Sequence, residues 1–187
     1  WLHFPSVSLF SSTANADLTK LFKKLGCESS TNAYSITGGT PLVDMLLAVK
    51  YGIYSEEQTE TALHTLVKEE RGSWLYENPY VLPVGFAVST NFENEWDLEA
   101  GNPVDVQNSL AASAGAGPVL ETVLDTRVEG KTQSFYPETS GEYFAYVSNK
   151  KIEKIKVTTK QGTQTFNNID RGYLLELGYC EEGYEVT

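Results

Sequence analysis

Residues 74–88 read WLYENPYVLPVGFAV, and this stretch decides the fold of the first half of the chain. It opens with aromatic and aliphatic residues, which favour a β-strand. Asn78-Pro79 is a turn signal, because the proline ring fixes its own φ and excludes the preceding residue from the helical region. We therefore predict a strand that is interrupted at Asn78-Pro79 and turns again at Pro83 and Gly85.

A second apolar run, residues 46–54, reads LLAVKYGIY and predicts a partner strand. Between the two runs, Ser55-Glu56-Glu57-Gln58 has the spacing of a capping box. An apolar stripe follows it, formed by Ala62, Leu63, Leu66 and Val67. These features predict a helix of about three turns that ends at Gly72 and brings the two strands together.

Two further helices and a short helical turn are predicted on either side of this pair. Residues 15–26 have a helical apolar face, Asn15 as N-cap and Gly26 as the terminating residue. Thr40-Pro41 and Asn102-Pro103 each combine a capping residue with proline at the first helical position. Between them, the acidic amphipathic segment 91–99 has Phe92 and Trp96 as its expected anchors.

The pattern changes after the small-residue stretch 111–117. Short β-branched or aromatic runs follow, separated by Gly, Asn or Pro, and Lys160-Gln161-Gly162 reads as a hairpin turn. The predicted strands are 119–128, 143–148, 154–159, 163–166, 173–177 and 184–187. The fold class is therefore α+β and β-rich. A mixed subdomain over 1–115 precedes an antiparallel, sandwich-like (jelly-roll-like) subdomain over 118–187, and the short linker is equally compatible with one continuous domain.

Composition excludes several classes of function. Fourteen basic and 25 acidic residues give a net charge of −11, which argues against nucleic-acid binding. Cys27 and Cys180 are too far apart for a metal motif and are expected to be free thiols. No apolar run reaches the roughly 20 residues that span a bilayer. The first residue is Trp1 rather than Met, so we expect the chain to be part of a longer protein.

No residue pattern predicts a catalytic centre, a metal site or a cofactor site. The histidines, His3 and His64, are too few for a His-rich metal site, and His64 is predicted to lie within the helix that ends at Gly72. Nucleophile-elbow and P-loop motifs are absent. Asp44 is an acid in an apolar stretch, and a capping role at a helix N-terminus is favoured over catalysis.

Two surfaces are candidates for ligand binding. Lys154, Lys156 and Lys160 share strand parity, so they form either a solvated face that discourages edge pairing or a basic stripe for a polyanion. Trp74 and Tyr76 are aromatic and could stack on a sugar, although aromatic residues within a strand more often fill a core.

The two strings LLAVKY (46–51) and YENPYVLPVGF (76–86), in this order and spacing, resemble the bacterial YfhO-type membrane proteins. The likeness extends to Gly39-Thr40-Pro41 upstream and to the tail, where 172–179 reads GYLLELGY. It covers nearly the whole chain.

This resemblance implies an extracellular domain of a polytopic, GT-C-like glycosyltransferase that modifies lipoteichoic acid or another envelope polymer in Gram-positive bacteria. The catalytic acid is expected in a membrane-proximal loop outside this chain, so no catalytic residue is carried over. The expected partners are the membrane-embedded part of the same polypeptide and teichoic acid or a related glycopolymer. We expect a monomer at the outer face of the plasma membrane. The alternative is an independent carbohydrate-binding or adhesive module.

Overall fold

The protein has a mixed α+β fold in which short antiparallel strands predominate. The structure, a computed structural model, describes residues 6–123 and 125–187. Its helices are α1 (Ala16–Lys24), α2 (Pro41–Leu46), α3 (Phe92–Glu95) and α4 (Pro103–Ser113), with a 3₁₀ turn at Ile169–Arg171. Its strands are β1 (Leu9–Phe10), β2 (Ser29–Ser30), β3 (Ala33–Tyr34), β4 (Tyr51–Tyr54), β5 (Thr65–Glu70), β6 (Ser73–Glu77), β7 (Thr126–Glu129), β8 (Thr132–Phe135), β9 (Gly141–Ala145), β10 (Lys154–Thr159), β11 (Gly162–Asn167) and β12 (Leu175–Cys180).

Helix α1 confirms the capping pattern that its sequence predicts. The Asn15 side chain accepts hydrogen bonds from the amides of Asp17 at 2.8 Å and Leu18 at 3.1 Å. Gly26 follows the helix with φ +84°, and a Cβ there would lie 2.8 Å from Leu174 Cγ. Glycine is therefore required both by the left-handed backbone and by the close approach of the two segments.

The prolines that open α2 and α4 also lie where the sequence predicts them. Thr40 caps α2 through its Oγ1, which accepts from the Val43 amide at 3.4 Å. The Asn102 side chain caps α4 by accepting from the amide of Val104 at 2.9 Å. In the acidic segment, Phe92 and Trp96 pack together with ring centroids 5.9 Å apart, and Trp96 donates to the Val106 carbonyl. They anchor the short helix α3, as predicted.

The two predicted strands of the first half pair with each other, but a strand rather than a helix lies between them. Strands β4, β6 and β5 form one antiparallel sheet in that order, with Tyr51 opposite Glu77 and Glu70 opposite Ser73. The helix predicted between Ser55 and Gly72 is therefore wrong, and so is the helical placement of His64.

The reason for that error is local. Val67 of the predicted apolar stripe and its neighbour Thr65 are β-branched, so they suit a strand equally well. Arg71 and Gly72 both have positive φ, at 54° and 73°, and form a two-residue turn between β5 and β6. Such turns match the twist of an antiparallel pair, so the turn favours a hairpin over a helix end.

Both predicted strands of this half are shorter than their apolar runs. Leu46 ends α2, and β4 begins only at Tyr51, because Ala48 adopts a left-handed conformation between them. Strand β6 stops at Glu77, and the chain from Asn78 to Thr90 is irregular. The turn predicted at Asn78-Pro79 therefore ends the strand.

The second half consists of three antiparallel pairs, β7–β8, β9–β12 and β10–β11. Strand β10 lies at 154–159 as predicted, and the hairpin turn joins Thr159 to Gly162. The pairs do not form a closed sandwich within the described residues, so the sandwich-like description is not confirmed. Strand β8 was not predicted, and in place of a strand at 184–187 an isolated bridge joins Val186 to Phe135. Leu124 of the predicted strand 119–128 lies outside the described residues.

Two apolar clusters form the core. One, around Phe22, Leu25 and Val43, packs α1, α2 and α4 together. The other, around Val157, Leu175 and Leu177, lies between the strand pairs of the second half. The Leu174 amide donates to the Gly26 carbonyl at 2.8 Å, so β12 is connected directly to the end of α1.

Candidate functional site

A polar cleft of about 190 Å³ lies between the two halves of the chain. One wall is formed by Tyr54 of β4 and the loop 56–59, together with His64. The opposite wall is formed by Glu142 of β9 and Glu176 of β12. The turn between β10 and β11 closes the remaining side. Lysine and arginine are absent from this lining.

Three rings fix the first wall. Tyr54, His64 and Tyr76 meet edge to face, with centroids 5.7 Å apart for the tyrosine pair and 6.2 Å for Tyr54 and His64. The Tyr76 hydroxyl donates to the Gln58 carbonyl and accepts from the Gln58 amide, each at 3.0 Å. Tyr76 therefore fixes the loop that forms the rim. Tyr54 extends over Gly52, where a Cβ would lie 2.6 Å from its ring.

Glu142 is a shielded carboxyl group of the cleft, with 18% of its side chain exposed. Burial, and then the negative charge of Glu176, raise its pKa to about 7. His64 Nδ1 lies 3.9 Å from Glu142 Oε1, and the other ring nitrogen is 3.4 Å from the Tyr54 hydroxyl. Burial lowers the pKa of His64, so the imidazole is neutral at pH 7 and its contact with Glu142 is not a strong ion pair.

Two further acids contribute to the electrostatics. Glu176 reaches solvent at the cleft wall but is closely surrounded by protein, which raises its pKa. Asp44 of α2 lies behind the wall, and burial followed by repulsion from Glu176 raises its pKa to about 7. Its Oδ1 is buried without a hydrogen-bond partner. Asp44 is in the first turn as predicted, whereas the side-chain cap of that helix is Thr40.

Amide side chains complete the site. Gln161 and Gln164 of the β10–β11 hairpin line the cleft, as does Gln58 on the opposite rim. Carboxyl, amide and phenol groups around a polar cleft can each donate and accept hydrogen bonds. Vicinal hydroxyl groups present the same mixture, so the arrangement fits a sugar ring. Because several carboxyls and no lysine or arginine line it, an anionic group would be disfavoured there.

Tyr76 and Trp74, the aromatic candidates from the sequence, are in the same sheet but not in the cleft. Tyr76 is 1% exposed, so its ring faces are inside the protein and it supports the cleft from behind. Trp74 is half-buried on β6, opposite Tyr54 in register. Neither ring presents a fully exposed face for stacking.

The three candidate lysines separate into two groups. Lys154 and Lys156 are exposed on β10, opposite Asn167 and Thr165, and neither forms an ion pair in the part of the chain that is described. Lys160 instead contacts Glu181 Oε2 at 2.6 Å and lies 4.2 Å from the centre of the Tyr184 ring. The stripe available to an anion therefore consists of Lys154 and Lys156.

The lysine stripe and the cleft occupy opposite faces of one hairpin. Gln164 lies directly opposite buried Val157, on the inner face, whereas Lys156 lies opposite Thr165 on the outer face. The two faces meet at the turn, where Gly162 and Thr163 line the cleft.

Sequence reasoning missed the acids of the cleft. Glu176 is an acid within the apolar stretch Leu174-Leu175-Glu176-Leu177. Asp44 was singled out for the same feature, so Glu176 could have been found in the same way. Glu142 had no such signal, because it follows the turn Ser140-Gly141 and resembles a solvated strand end. His64 was assigned to the wrong element. Only the tertiary structure brings these residues together.

A second groove, of about 300 Å³, lies beside β1, β2 and β3. It is larger but has fewer charged side chains, Glu28 and Arg171 against four glutamates in the cleft. Arg171, its only positively charged side chain, contacts Glu28 Oε1 at 2.5 Å. Its remaining lining is serine, small or apolar. The cleft around Glu142 is therefore the better candidate site.

Comparison with known proteins gives one match. The family model described as bacterial membrane protein YfhO matches residues 1–178. The chain belongs to the YfhO family of bacterial membrane proteins. No curated protein and no solved structure matches it significantly. The family match confirms the resemblance of the two strings at 46–51 and 76–86, both of which lie inside the matched range.

Two features of this YfhO-family chain complete the description of its sites. Within residues 6–123 and 125–187, no helix is long and apolar enough to cross a bilayer. In the same ranges, no group of three or more His, Cys, Asp or Glu side chains has the arrangement needed to hold a metal ion. Cys27 and Cys180 are both free and buried, as the sequence predicts.

Proposed function

We propose that this chain is a non-catalytic extracellular domain of a YfhO-type membrane glycosyltransferase, and that it positions the envelope polymer that accepts the sugar. The observation that carries the proposal is the cleft between the two halves of the chain, with carboxyl, amide and phenol groups on facing walls. A cleft of this chemistry binds hydroxyl-rich ligands through several short polar contacts.

The protonation of the cleft acids supports a binding role. With its pKa raised to about 7, Glu142 is protonated in about half of the molecules at pH 7. A protonated carboxyl both donates and accepts hydrogen bonds, so it can pair with a sugar hydroxyl without burying a charge.

The lysine stripe supplies a second contact with different chemistry. A teichoic acid alternates phosphate groups with polyol or sugar units. The cleft favours the uncharged units, and Lys154 and Lys156 on the outer face of the hairpin favour the phosphates. A polymer that passes over the turn at Gly162 would contact both. Bracing of the membrane-embedded part of the same polypeptide is a further part of this proposal, since a domain that holds the acceptor has to be held near the enzyme.

The test is a binding screen of the 187-residue chain against teichoic-acid fragments and neutral glycans. Binding of teichoic-acid fragments that weakens with salt, and weakens several-fold in the double variant Lys154→Ala/Lys156→Ala, is the expected result. Lys160→Ala is the matched control, because Lys160 is paired with Glu181. Salt-sensitive binding that persists in the double variant would exclude the stripe, and transferase or hydrolase turnover by the chain alone would overturn the non-catalytic role.

The alternative is an independent carbohydrate-binding or adhesive module. It is favoured by the cleft, whose described lining residues come from both halves of this chain. Tight binding of neutral glycans with no preference for phosphate-containing polymers would support this alternative over the first proposal.

A further inference from the structure

The loop between β6 and α3 has an unusual composition. Residues 78–92, NPYVLPVGFAVSTNF, contain no charged side chain, although 21% of the chain is charged and fifteen such positions would carry about three. We call this segment the apolar loop. The sequence alone predicts a continuation of the strand here, and the structure shows that no sheet covers these residues.

Large apolar side chains of this loop are exposed to solvent. The exposed fraction is 98% for Val84, 59% for Tyr80, 50% for Val88 and 41% for Phe86. Elsewhere, exposed apolar residues occur singly, as Val128 does on β7, or in pairs, as Leu9 with Phe10 and Tyr51 with Ile53 do, whereas the loop has four of them within nine positions. Clustered apolar exposure of this kind is unfavourable in water and marks a contact surface.

The tip of the loop, residues 83–88, projects from a fixed base. The Asn78 amide donates to the Lys50 carbonyl at 2.8 Å, and the Leu82 amide donates to the Met45 carbonyl at 3.0 Å. After the tip, the Phe92 amide donates to the Ser89 carbonyl at 3.1 Å. A Cβ placed on Gly85 would meet no atom within 4 Å, so the tip is clear of the rest of the protein.

We propose that the tip of the apolar loop docks into the interfacial layer of a lipid bilayer, with Val84 and Phe86 as the inserted side chains. The chain belongs to a family of membrane proteins, so a bilayer is present in its surroundings. The loop has no charge to desolvate, and its most exposed side chains are apolar. These properties match the chemistry of the layer where headgroups meet acyl chains.

The backbone limits the depth of this contact. The tip is irregular, so its amide and carbonyl groups are not paired as in a helix or a sheet. Unpaired backbone groups are not tolerated in the hydrocarbon core, whereas water among the headgroups can satisfy them. The side chains of Val84 and Phe86 therefore reach the upper acyl chains while the backbone stays at headgroup level.

A second copy of the chain fits the tip of the apolar loop less well than a bilayer does. Each copy has a net charge of −11, so two copies repel each other. A stable dimer also needs about 800 Å² of contact from each partner, which a tip of six residues does not provide. A zwitterionic lipid surface does not repel the net negative charge of the chain, and its contact with the tip does not need so large an area.

The contact is expected to be weak by itself. A single small apolar anchor gives only reversible membrane binding, and the net negative charge of the chain opposes an anionic surface. The test therefore holds the chain at the membrane by a histidine tag on phosphatidylcholine vesicles that contain a nickel-chelating lipid. The readout is the environment of a fluorophore at the tip.

An environment-sensitive fluorophore is attached at Val84→Cys, and in a second sample at Val128→Cys. Val128 is the matched control, since it is 67% exposed but lies on β7. Native Cys27 and Cys180 are buried and do not compete for the label. We expect a blue shift and a several-fold rise in emission at position 84 when vesicles are added, quenching there by brominated acyl chains, and no change at position 128. Phe86→Ser should reduce the response at position 84.

Two results would overturn the proposal. One is an equal response, or none, at positions 84 and 128. The other is concentration-dependent dimerisation without lipid that Val84→Ser abolishes, which would assign the tip to a second copy. Glycan binding in the cleft is measured without vesicles, so its outcome is independent of this experiment.

Discussion

His64 Nδ1 lies 3.9 Å from Glu142 Oε1, and this contact joins the first half of the chain to β9 of the second half across the polar cleft. Both groups are kept near neutrality by burial, which lowers the pKa of the imidazole and raises that of the carboxyl to about 7. The wall of the cleft is therefore a set of hydrogen-bonding groups rather than a salt bridge. Its acids should dominate the response of the protein to pH.

The stability of the protein should fall as the pH rises from about 4.5 to about 7. The folded chain keeps protons on Asp44 and Glu142 up to a pKa of about 7, whereas the unfolded chain releases them near 3.8 and 4.5. The folded state binds more protons in that window, so each group lowers the free energy of unfolding by up to about 1.4 kcal/mol per pH unit. Denaturant titrations across the window measure the slope.

His64 acts in the opposite direction, because its lowered pKa makes the folded state bind fewer protons near pH 6.5. His64 is a single group that acts over a narrow pH range, so the effect of the two acids on the free energy of unfolding should exceed its effect. Glu142→Gln should flatten the slope, while Glu129→Gln on exposed β7 should leave it unchanged. A wild-type stability that rises between these pH values would show that the acids are not shielded in this way.

Gln107 should be the most sensitive polar residue of the helical core. It is fully buried, its Nε2 donates to the Leu25 carbonyl at 2.7 Å, and its Oε1 accepts from the Thr40 hydroxyl. Gln107→Leu leaves both partners unsatisfied, and each costs about 1–3 kcal/mol, so we expect a loss of about 2–6 kcal/mol. Chemical denaturation measures it. Gln133→Ala on exposed β8 is the control, and an equal effect of the two variants would contradict the buried network.

The hairpin between β5 and β6 should be strengthened by Arg71→Asn. Arg71 adopts φ 54°, a conformation that costs most L-residues roughly 1–2 kcal/mol and that asparagine tolerates better. We expect a gain of about 0.5–1 kcal/mol in thermal or chemical unfolding. Lys68→Asn, within β5, should be destabilising because asparagine is disfavoured in strands. If Lys68→Asn were the more stable variant and Arg71→Asn the less stable one, this segment would not be a hairpin.

Neither native thiol should react readily in the folded protein. Burial raises the pKa of Cys27 to about 12, with a smaller contribution from Asp44, and that of Cys180 to about 11, with a smaller contribution from Glu142. Since the thiolate is the reactive form, alkylation by iodoacetamide at mildly alkaline pH should be at least roughly 100-fold slower than in denaturant. Val84→Cys, at the exposed tip, should react quickly under the same conditions. Rapid labelling of the native cysteines would contradict their burial.

Much of the fold could be predicted from local chemistry. The caps at Asn15, Thr40 and Asn102 and the turn at Asn78-Pro79 each depend on a side chain or ring that acts within a few residues. The hairpin turn at 160–162 likewise depends on residues that are close together in the sequence. The prediction was wrong where two local preferences compete. The spacing of the apolar residues at 62–67 fits a helix, but the turn at Arg71-Gly72 that follows them requires a hairpin.

The candidate site was much less predictable. Glu142 and Glu176 come from β9 and β12, which pair with each other but are separated along the chain by β10 and β11. They line the same cleft as Tyr54 and His64 of the first half, which is a tertiary arrangement. Lys154 and Lys156 were correctly placed on one exposed strand face, since strand parity is a local property. The pairing of Lys160 with Glu181 depends on tertiary structure and has no signal in the sequence.

The most direct test of the central claim is a calorimetric or NMR titration of teichoic-acid fragments into the wild type, Gln164→Ala and Gln133→Ala. Both glutamines are exposed on β-strands, but only Gln164 lines the cleft. The account predicts that Gln164→Ala weakens binding several-fold while Gln133→Ala binds as the wild type does. Equal affinity for all three proteins, or chemical-shift changes that avoid Glu142 and Glu176, would contradict the claim that the cleft holds the acceptor.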